Sequence, residues 1–267
     1  MKIKKVCPKC SLRKIYVIRR GKWRCAGCKY EWIPHRLPLY LTRKKWIKIL
    51  RWFLRGLSSQ SISVEIGINR WRILRALTKT RLMMSCDIPE VFSGIIEVDE
   101  TYIGGQWKNK RKGQRIKQAK RGRGTLKTPV FGILCRGGKV WAQVVPDVEA
   151  KTLMPLIRHR VKQGSVICSD TWKSYTGIAA KGYVHRLVEH GKGEYSDKQG
   201  NHINGLEGFW GYLKRRLAAK GGIRRVRLPL YLAEYVWRYN HRNLTPKQQV
   251  DKLVKLLYEH RNIKFSG

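Results

Sequence analysis

Carboxylates are the scarce commodity of this sequence. Only 17 Asp and Glu stand against 58 Lys and Arg over 267 residues, a formal net charge of +41, and no acid occurs from Thr101 to Pro146. A folded surface with that imbalance repels itself unless a polyanion neutralises it, so the expected partner is nucleic acid. An anionic membrane is the weaker alternative, because the basic residues are spread along the chain among Trp and Tyr and not gathered on one amphipathic helix. Long apolar runs are missing as well: no stretch reaches the roughly 18 residues that would cross a bilayer. The opening Met1-Lys2-Ile3-Lys4-Lys5-Val6-Cys7 runs into polar sequence without an apolar signal core, which gives a cytoplasmic expectation. Cysteine is limited to seven, an odd number, four of them in two close pairs. That fits a reducing compartment and a metal site better than a disulfide framework.

The two pairs are Cys7-Pro8-Lys9-Cys10 and Cys25-Ala26-Gly27-Cys28. Each Cys-x-x-Cys turn aims two thiolates at one point, and a hairpin between them brings the turns together around tetrahedral Zn2+. Ile15 to Ile18 and Lys22 to Arg24 read as the strands of that hairpin, with Arg20-Gly21 between them. Residues 1–36 are therefore expected to be a zinc ribbon, a unit too small to hold a core without its metal.

Helical periodicity takes over in residues 37–88. Trp46, Ile49, Leu50 and Phe53 mark one helix, Ser58 to Glu65 a second, and Asn69 caps a third over Arg70 to Leu82, with Gly67 at the turn. Three short helices with a Gly-containing turn predict a helix-turn-helix module, whose third helix carries Arg70, Arg72 and Arg75 toward phosphates and base edges.

Strands dominate the next part of residues 89–267. Ile95 to Glu100 is a short apolar run ending in acids; Val130 to Cys135 and Val140 to Val145 form a hairpin around Arg136-Gly137-Gly138-Lys139. Lys151 to Val161 is helical, Ser165 to Cys168 is a fourth strand followed by Ser169-Asp170, and Tyr183 to Val188 is a fifth. The basic, Gly-punctuated stretch Lys108 to Lys127, with Lys108, Lys110 and Arg111, reads as a loop that orders on nucleic acid. Then comes His202 to Arg216, where Leu206, Trp210, Leu213 and Leu217 form one apolar stripe while Glu207 and Lys214 lie on the adjoining face and Arg215 is placed for phosphate. This order predicts an α/β mixed sheet with helices on both faces, strands one and four side by side at its centre. Asp99 and Asp170 would then share a site, closed by the helix carrying Glu207. Three carboxylates brought together repel one another, and divalent metal relieves the repulsion.

Glu97-Val98-Asp99-Glu100-Thr101-Tyr102-Ile103-Gly104-Gly105, Ser169-Asp170-Thr171-Trp172-Lys173-Ser174-Tyr175, His202-Ile203-Asn204-Gly205-Leu206-Glu207-Gly208-Phe209-Trp210 and the later Trp237-Arg238-Tyr239-Asn240-His241-Arg242 resemble, in this order, the motifs of DDE transposases. The chain looks like the bacterial insertion-sequence members that open with a zinc ribbon. The resemblance implies a ribonuclease H-like catalytic domain, Mg2+ or Mn2+ held by Asp99, Asp170 and Glu207, and Lys214 as the basic residue after the Glu. It also implies action on double-stranded DNA, the element ends and the target, by a homo-oligomer. Such families can carry Asn in place of the third acid, and Asn204 stands three residues before Glu207, so the third position is open between the two. The alternative from another class is a zinc-containing DNA-binding protein whose DDE domain is degenerate and inactive.

Overall fold

The computed structural model describes residues 6–19, 22–33, 37–105, 127–169, 177–187 and 204–260. They fall into two compact units, one of the described residues up to Thr80 together with those from Val250 on, the other from Arg81 to Gln249.

In the first unit, strands β1 (Ile15–Ile18), β2 (Lys22–Cys25) and β3 (Glu31–Trp32) make an antiparallel sheet. It buries almost nothing apolar except Cys25, as expected of a module held by something other than a core. Helices α1 (Arg43–Leu54), α2 (Ser59–Ile66) and α3 (Arg70–Ser85) follow. Each start is capped by the residue that sequence chemistry favours: Thr42 accepts from the Lys45 N–H, Ser58 from Ser61 and Asn69 from Trp71, at 3.3, 3.0 and 2.8 Å. Trp46, Ile49, Leu50 and Phe53 form the buried stripe of α1. Gly67 ends α2 in the left-handed conformation, φ 65°. α3 runs past the expected Leu82 to Ser85, no Pro or Gly intervening before Pro89.

The second unit is built on a five-stranded sheet of β4 (Ile95–Ile103), β5 (Thr128–Cys135), β6 (Val140–Val144), β7 (Val166–Ser169) and β8 (Val184–Leu187), in the order β6-β5-β4-β7-β8. β4 pairs antiparallel with β5 and parallel with β7, so strands one and four of the unit lie side by side as the sequence predicts. Helix α4 (Ala150–Arg160) covers one face, with Leu153 and Ile157 in a core with Ile96, Val98, Ile133 and Ile167. α5 (Asn204–Ala218) and α6 (Leu228–Asn240) cover the other, packing Leu206, Trp210, Leu213 and Val236 on Val130, Leu134 and Ala142. This is the mixed sheet flanked by helices on both faces that the sequence predicts.

β4 extends beyond the expected Glu100 to Ile103, because β5 goes on pairing with it as far as Ile103↔Thr128 and Thr, Tyr and Ile suit a strand. Asp99 therefore sits within β4, not at its end. The Trp237 to Arg242 motif works as a staple. Asn240 accepts from the Val140 N–H at 2.7 Å and donates to its carbonyl at 2.8 Å, occupying backbone groups of edge strand β6, and Trp237 donates to Asp87 at 2.8 Å while stacking on His241. The last helix, α7 (Pro246–Glu259), lies in the first unit from Val250 on, where Lys79 donates to the His260 carbonyl at 3.1 Å. Among the described residues no helix is long and apolar enough to cross a membrane.

Candidate functional site

Alternation along β4 puts Ile96 and Val98 on the face of α4, and leaves Glu97 and Asp99 to the face covered by α5. Neither acid is left to itself. Glu97 is fully buried; its Oε2 accepts from the Leu206 N–H at 2.8 Å, in the first turn of α5, and its Oε1 receives the Arg136 Nε at 3.2 Å. A carboxylate at a helix N-terminus, paired with a guanidinium, is a stable arrangement for a buried charge. Gly205 makes the approach possible, since a Cβ there would stand 3.0 Å from Glu97 Oε2. Glu97 thus clamps the start of α5 to the middle strand.

Asp99 is half-buried, and its Oδ2 accepts from the Trp210 indole Nε1 at 3.0 Å. Opposite Asp99 on β5 stands Gly132, and a Cβ there would lie 2.5 Å from Trp210 Cζ2 and 2.6 Å from Cη2. The indole lies flush on the strand because residue 132 has no side chain. Lys214, one turn along the same face from Trp210, is in electrostatic reach of Asp99: partial desolvation lowers its pKa, the attraction of Asp99 opposes that shift and Lys127 adds to it. Asn204, Glu207, Trp210 and Lys214 follow one another at steps of three and four, so they share this face of α5. Asn204 and Glu207 are both solvent-exposed in its first turn, and Arg215 is exposed in its last.

Asp170 lies outside the described residues, as do Lys108, Lys110 and Arg111. Ser169 is the last residue of β7, and β7 is beside β4 in the register Glu97↔Cys168. Ser169 Oγ and His185 Nε2, on β8, are 2.8 Å apart, and burial lowers the His185 pKa and keeps the imidazole neutral.

In the first unit, Cys7, Cys10, Cys25 and Cys28 converge, their four Sγ atoms lying within 4.8 Å of one another; it is the only such cluster of three or more metal-ligating side chains among the described residues. Tetrahedral zinc with bonds of about 2.3 Å places its sulfurs about 3.8 Å apart, so the donor set fits the ion. Desolvation works against the Cys7 thiolate, but the backbone amides of Cys10 and Lys9 and the neighbouring thiols outweigh it and bring Cys7 to about 7. At Cys28 the Tyr30 amide favours the thiolate, but desolvation and the sulfurs of Cys10, Cys7 and Cys25 prevail and push it up to about 11. Cys86, Cys135 and Cys168 stand apart from the cluster.

Arg70, Arg72 and Arg75 are all exposed on α3, but the Arg72 guanidinium turns back: its Nη2 donates to the carbonyls of Leu39 at 2.6 Å and Tyr40 at 3.2 Å. Pattern reading had no means to find the supports of Asp99. Trp210 reads as one more apolar position; the available signal was that a buried indole N–H needs an acceptor.

Residues 91–240 match the ISXO2-like transposase domain family. A stretch of 119 residues, 45% of this chain, is 35% identical to an uncharacterized transposase-like protein of Haemophilus influenzae and covers 94% of it. Among solved structures, the chain is similar to a simian T-cell lymphotropic virus intasome, with 15% identity over 74% of this chain and 70% of that one and a TM-score of 0.35. It is also similar to the Mos1 strand transfer complex, with 12% identity over 82% and 79% and a TM-score of 0.30.

Proposed function

Because the chain belongs to the ISXO2-like transposase domain family, we propose that it cleaves DNA at the ends of an insertion sequence and transfers the strands to target DNA, with Asp99, Asp170 and Glu207 as the metal-binding acids. The observation that carries this reading is the setting of Asp99. It is held by Trp210 on the face of α5 that also bears Glu207 and Lys214. A half-buried acid held in place by a donor, with a basic side chain in electrostatic reach, supports its reading as a pre-positioned metal ligand.

Asp99, Asp170 and Glu207 would hold Mg2+ or Mn2+, which when bound neutralises the phosphodiester and activates the attacking water or 3'-hydroxyl. The protein's own part is positioning. Trp210 fixes one carboxylate oxygen of Asp99, the Glu97–Arg136 pair anchors the start of α5, and Lys214 meets a phosphate of the DNA. Residues 1–36 hold Zn2+ through Cys7, Cys10, Cys25 and Cys28 as a purely structural site, four thiolates leaving no open position for chemistry. Residues 37–88 act as a helix-turn-helix that finds the ends, and residues 89–267 cut and join. Lys108, Lys110, Arg111 and Arg215 neutralise phosphates along the duplex. Two ends must be paired for joining, so a homo-oligomer assembles on DNA, in the cytoplasm.

A strand-transfer assay with DNA flanking the coding sequence tests the site. Asp99→Ala, Asp170→Ala and Glu207→Ala are each expected to abolish Mg2+-dependent cleavage and joining while DNA binding and melting temperature stay near wild type, since ligands acting as a unit fail together. Glu207→Gln is expected to behave likewise and Asn204→Ala to be milder. If Glu207→Gln keeps full activity and Asn204→Ala loses it, the third ligand is Asn204; activity in all the variants would leave a DNA-binding protein with a degenerate DDE domain.

A further inference from the structure

Trp71 is 76% exposed, more than any other large apolar side chain among the described residues. It stands in the first turn of α3, where its backbone N–H is bound by the Asn69 cap, and the buried face of the helix is supplied by Ile73, Ala76 and Leu77. The fold draws nothing from that indole. Along the same helix the surface is cationic: Arg70 precedes it and Arg75 lies one turn on, both exposed. Arg72, which residue type alone makes a base reader, is committed elsewhere. Its guanidinium binds the carbonyls of Leu39 and Tyr40, two non-glycine residues at φ 58° and 53°, and so holds a backbone conformation that is unfavourable on its own.

We propose that Trp71 is the base-reading residue of this chain, its ring seated against the 5-methyl group of a thymine in the major groove, with Arg70 and Arg75 on the flanking phosphates. This rests on the reading of α2 and α3 as a helix-turn-helix, in which the first turn of the second helix meets the base edges. Of the groups in the major groove only the thymine methyl offers an apolar contact, and an indole has no way to form the bidentate hydrogen bonds that pick out guanine or adenine. Arg70 and Arg75 supply charge for a polyanion, and phosphate contacts position without specifying. An acidic protein segment would also match the charge, and the test separates it.

The experiment is selection from a random duplex pool by the full chain, wild type and Trp71→Ala, followed by affinity measurement at fixed salt. Wild type is expected to enrich a motif containing thymine. Trp71→Ala is expected to lose the preference at that position and to bind the best duplex about tenfold more weakly, the range of one wrong base pair, with random-duplex binding unchanged. Replacing that thymine by deoxyuracil removes only the methyl. It should cost wild type the same factor and Trp71→Ala nothing further, and the wild-type arm does not depend on how the variant folds. If Trp71→Ala enriches the same motif with undiminished affinity, or deoxyuracil is neutral for wild type, the indole reads no base although the helices do. If wild type enriches no motif at all, the helix-turn-helix reading fails and this inference with it, leaving a protein partner for the patch.

Discussion

Replacing Gly132 by Ala adds one methyl group at the point where the sheet, Trp210 and Asp99 meet. The new Cβ would lie 2.5 and 2.6 Å from two ring carbons of Trp210 and 3.2 Å from Leu206 Cδ1. Carbon atoms need about 3.5 Å, so the ring must retreat by roughly 1 Å. It has little room, being only 4% exposed and packed among Phe209, Leu213 and Val130. Forcing an extra carbon into a filled core costs about 1–3 kcal/mol. Alanine recovers about 0.5–1 kcal/mol of backbone entropy relative to glycine in a strand, which leaves a net loss centred on about 1 kcal/mol. For a domain of this size that lowers the melting temperature by about 2–4 °C. The second consequence reaches the site, because a ring moved by roughly 1 Å stretches the 3.0 Å bond from Trp210 Nε1 to Asp99 beyond hydrogen-bonding distance. Asp99 then loses the donor that orients it. Thermal unfolding of Gly132→Ala measures the first effect, and the Mg2+ concentration needed for half-maximal DNA cleavage measures the second, which is expected to rise. Trp210→Phe isolates the second, since it removes the N–H and keeps an aromatic ring in place. Unchanged melting of Gly132→Ala would refute the packing argument. Unchanged Mg2+ dependence of Trp210→Phe would refute the idea that the indole positions Asp99.

The zinc ribbon gives a direct measurement: elemental analysis is expected to find one zinc per chain, lost when any two of Cys7, Cys10, Cys25 and Cys28 become Ser and kept when Cys86, Cys135 and Cys168 do, and retention in the paired variants would refute the site. For His185 the sign of the pH effect follows from burial, which lowers its pKa in the folded protein. The unfolded chain takes up the proton near pH 6.5, so the contribution is present above about 6.5 and is lost as pH falls toward the folded value. Wild type should therefore lose more melting temperature than His185→Gln between pH 7.5 and 5.5, and equal losses would count against a partly buried imidazole with a lowered pKa.

The amino-acid sequence by itself determined what depends on spacing and local chemistry. The thiol pairs at Cys7/Cys10 and Cys25/Cys28 declare a tetrahedral site because two tight turns fix where four sulfurs point. The helix starts at Ser58 and Asn69 were legible because a capping oxygen acts within its own turn. The strand order and the stripe of α5 followed from periodicities of two and about 3.6. Only the tertiary structure decided how the acids are used. Glu97 and Asp99 are two residues apart, on the same strand and the same face, and nothing local distinguishes them. One was drawn into a clamp with Leu206 and Arg136, and the other accepts from Trp210 within electrostatic reach of Lys214, because α5 arrives from more than a hundred residues away. The same holds for Gly132, whose missing side chain matters only once Trp210 lies on it, and for Arg72, which residue type assigns to DNA and the carbonyls of Leu39 and Tyr40 claim for the fold. A side chain's type and spacing are properties of the local chain; its partner is a property of chain segments that meet only on folding.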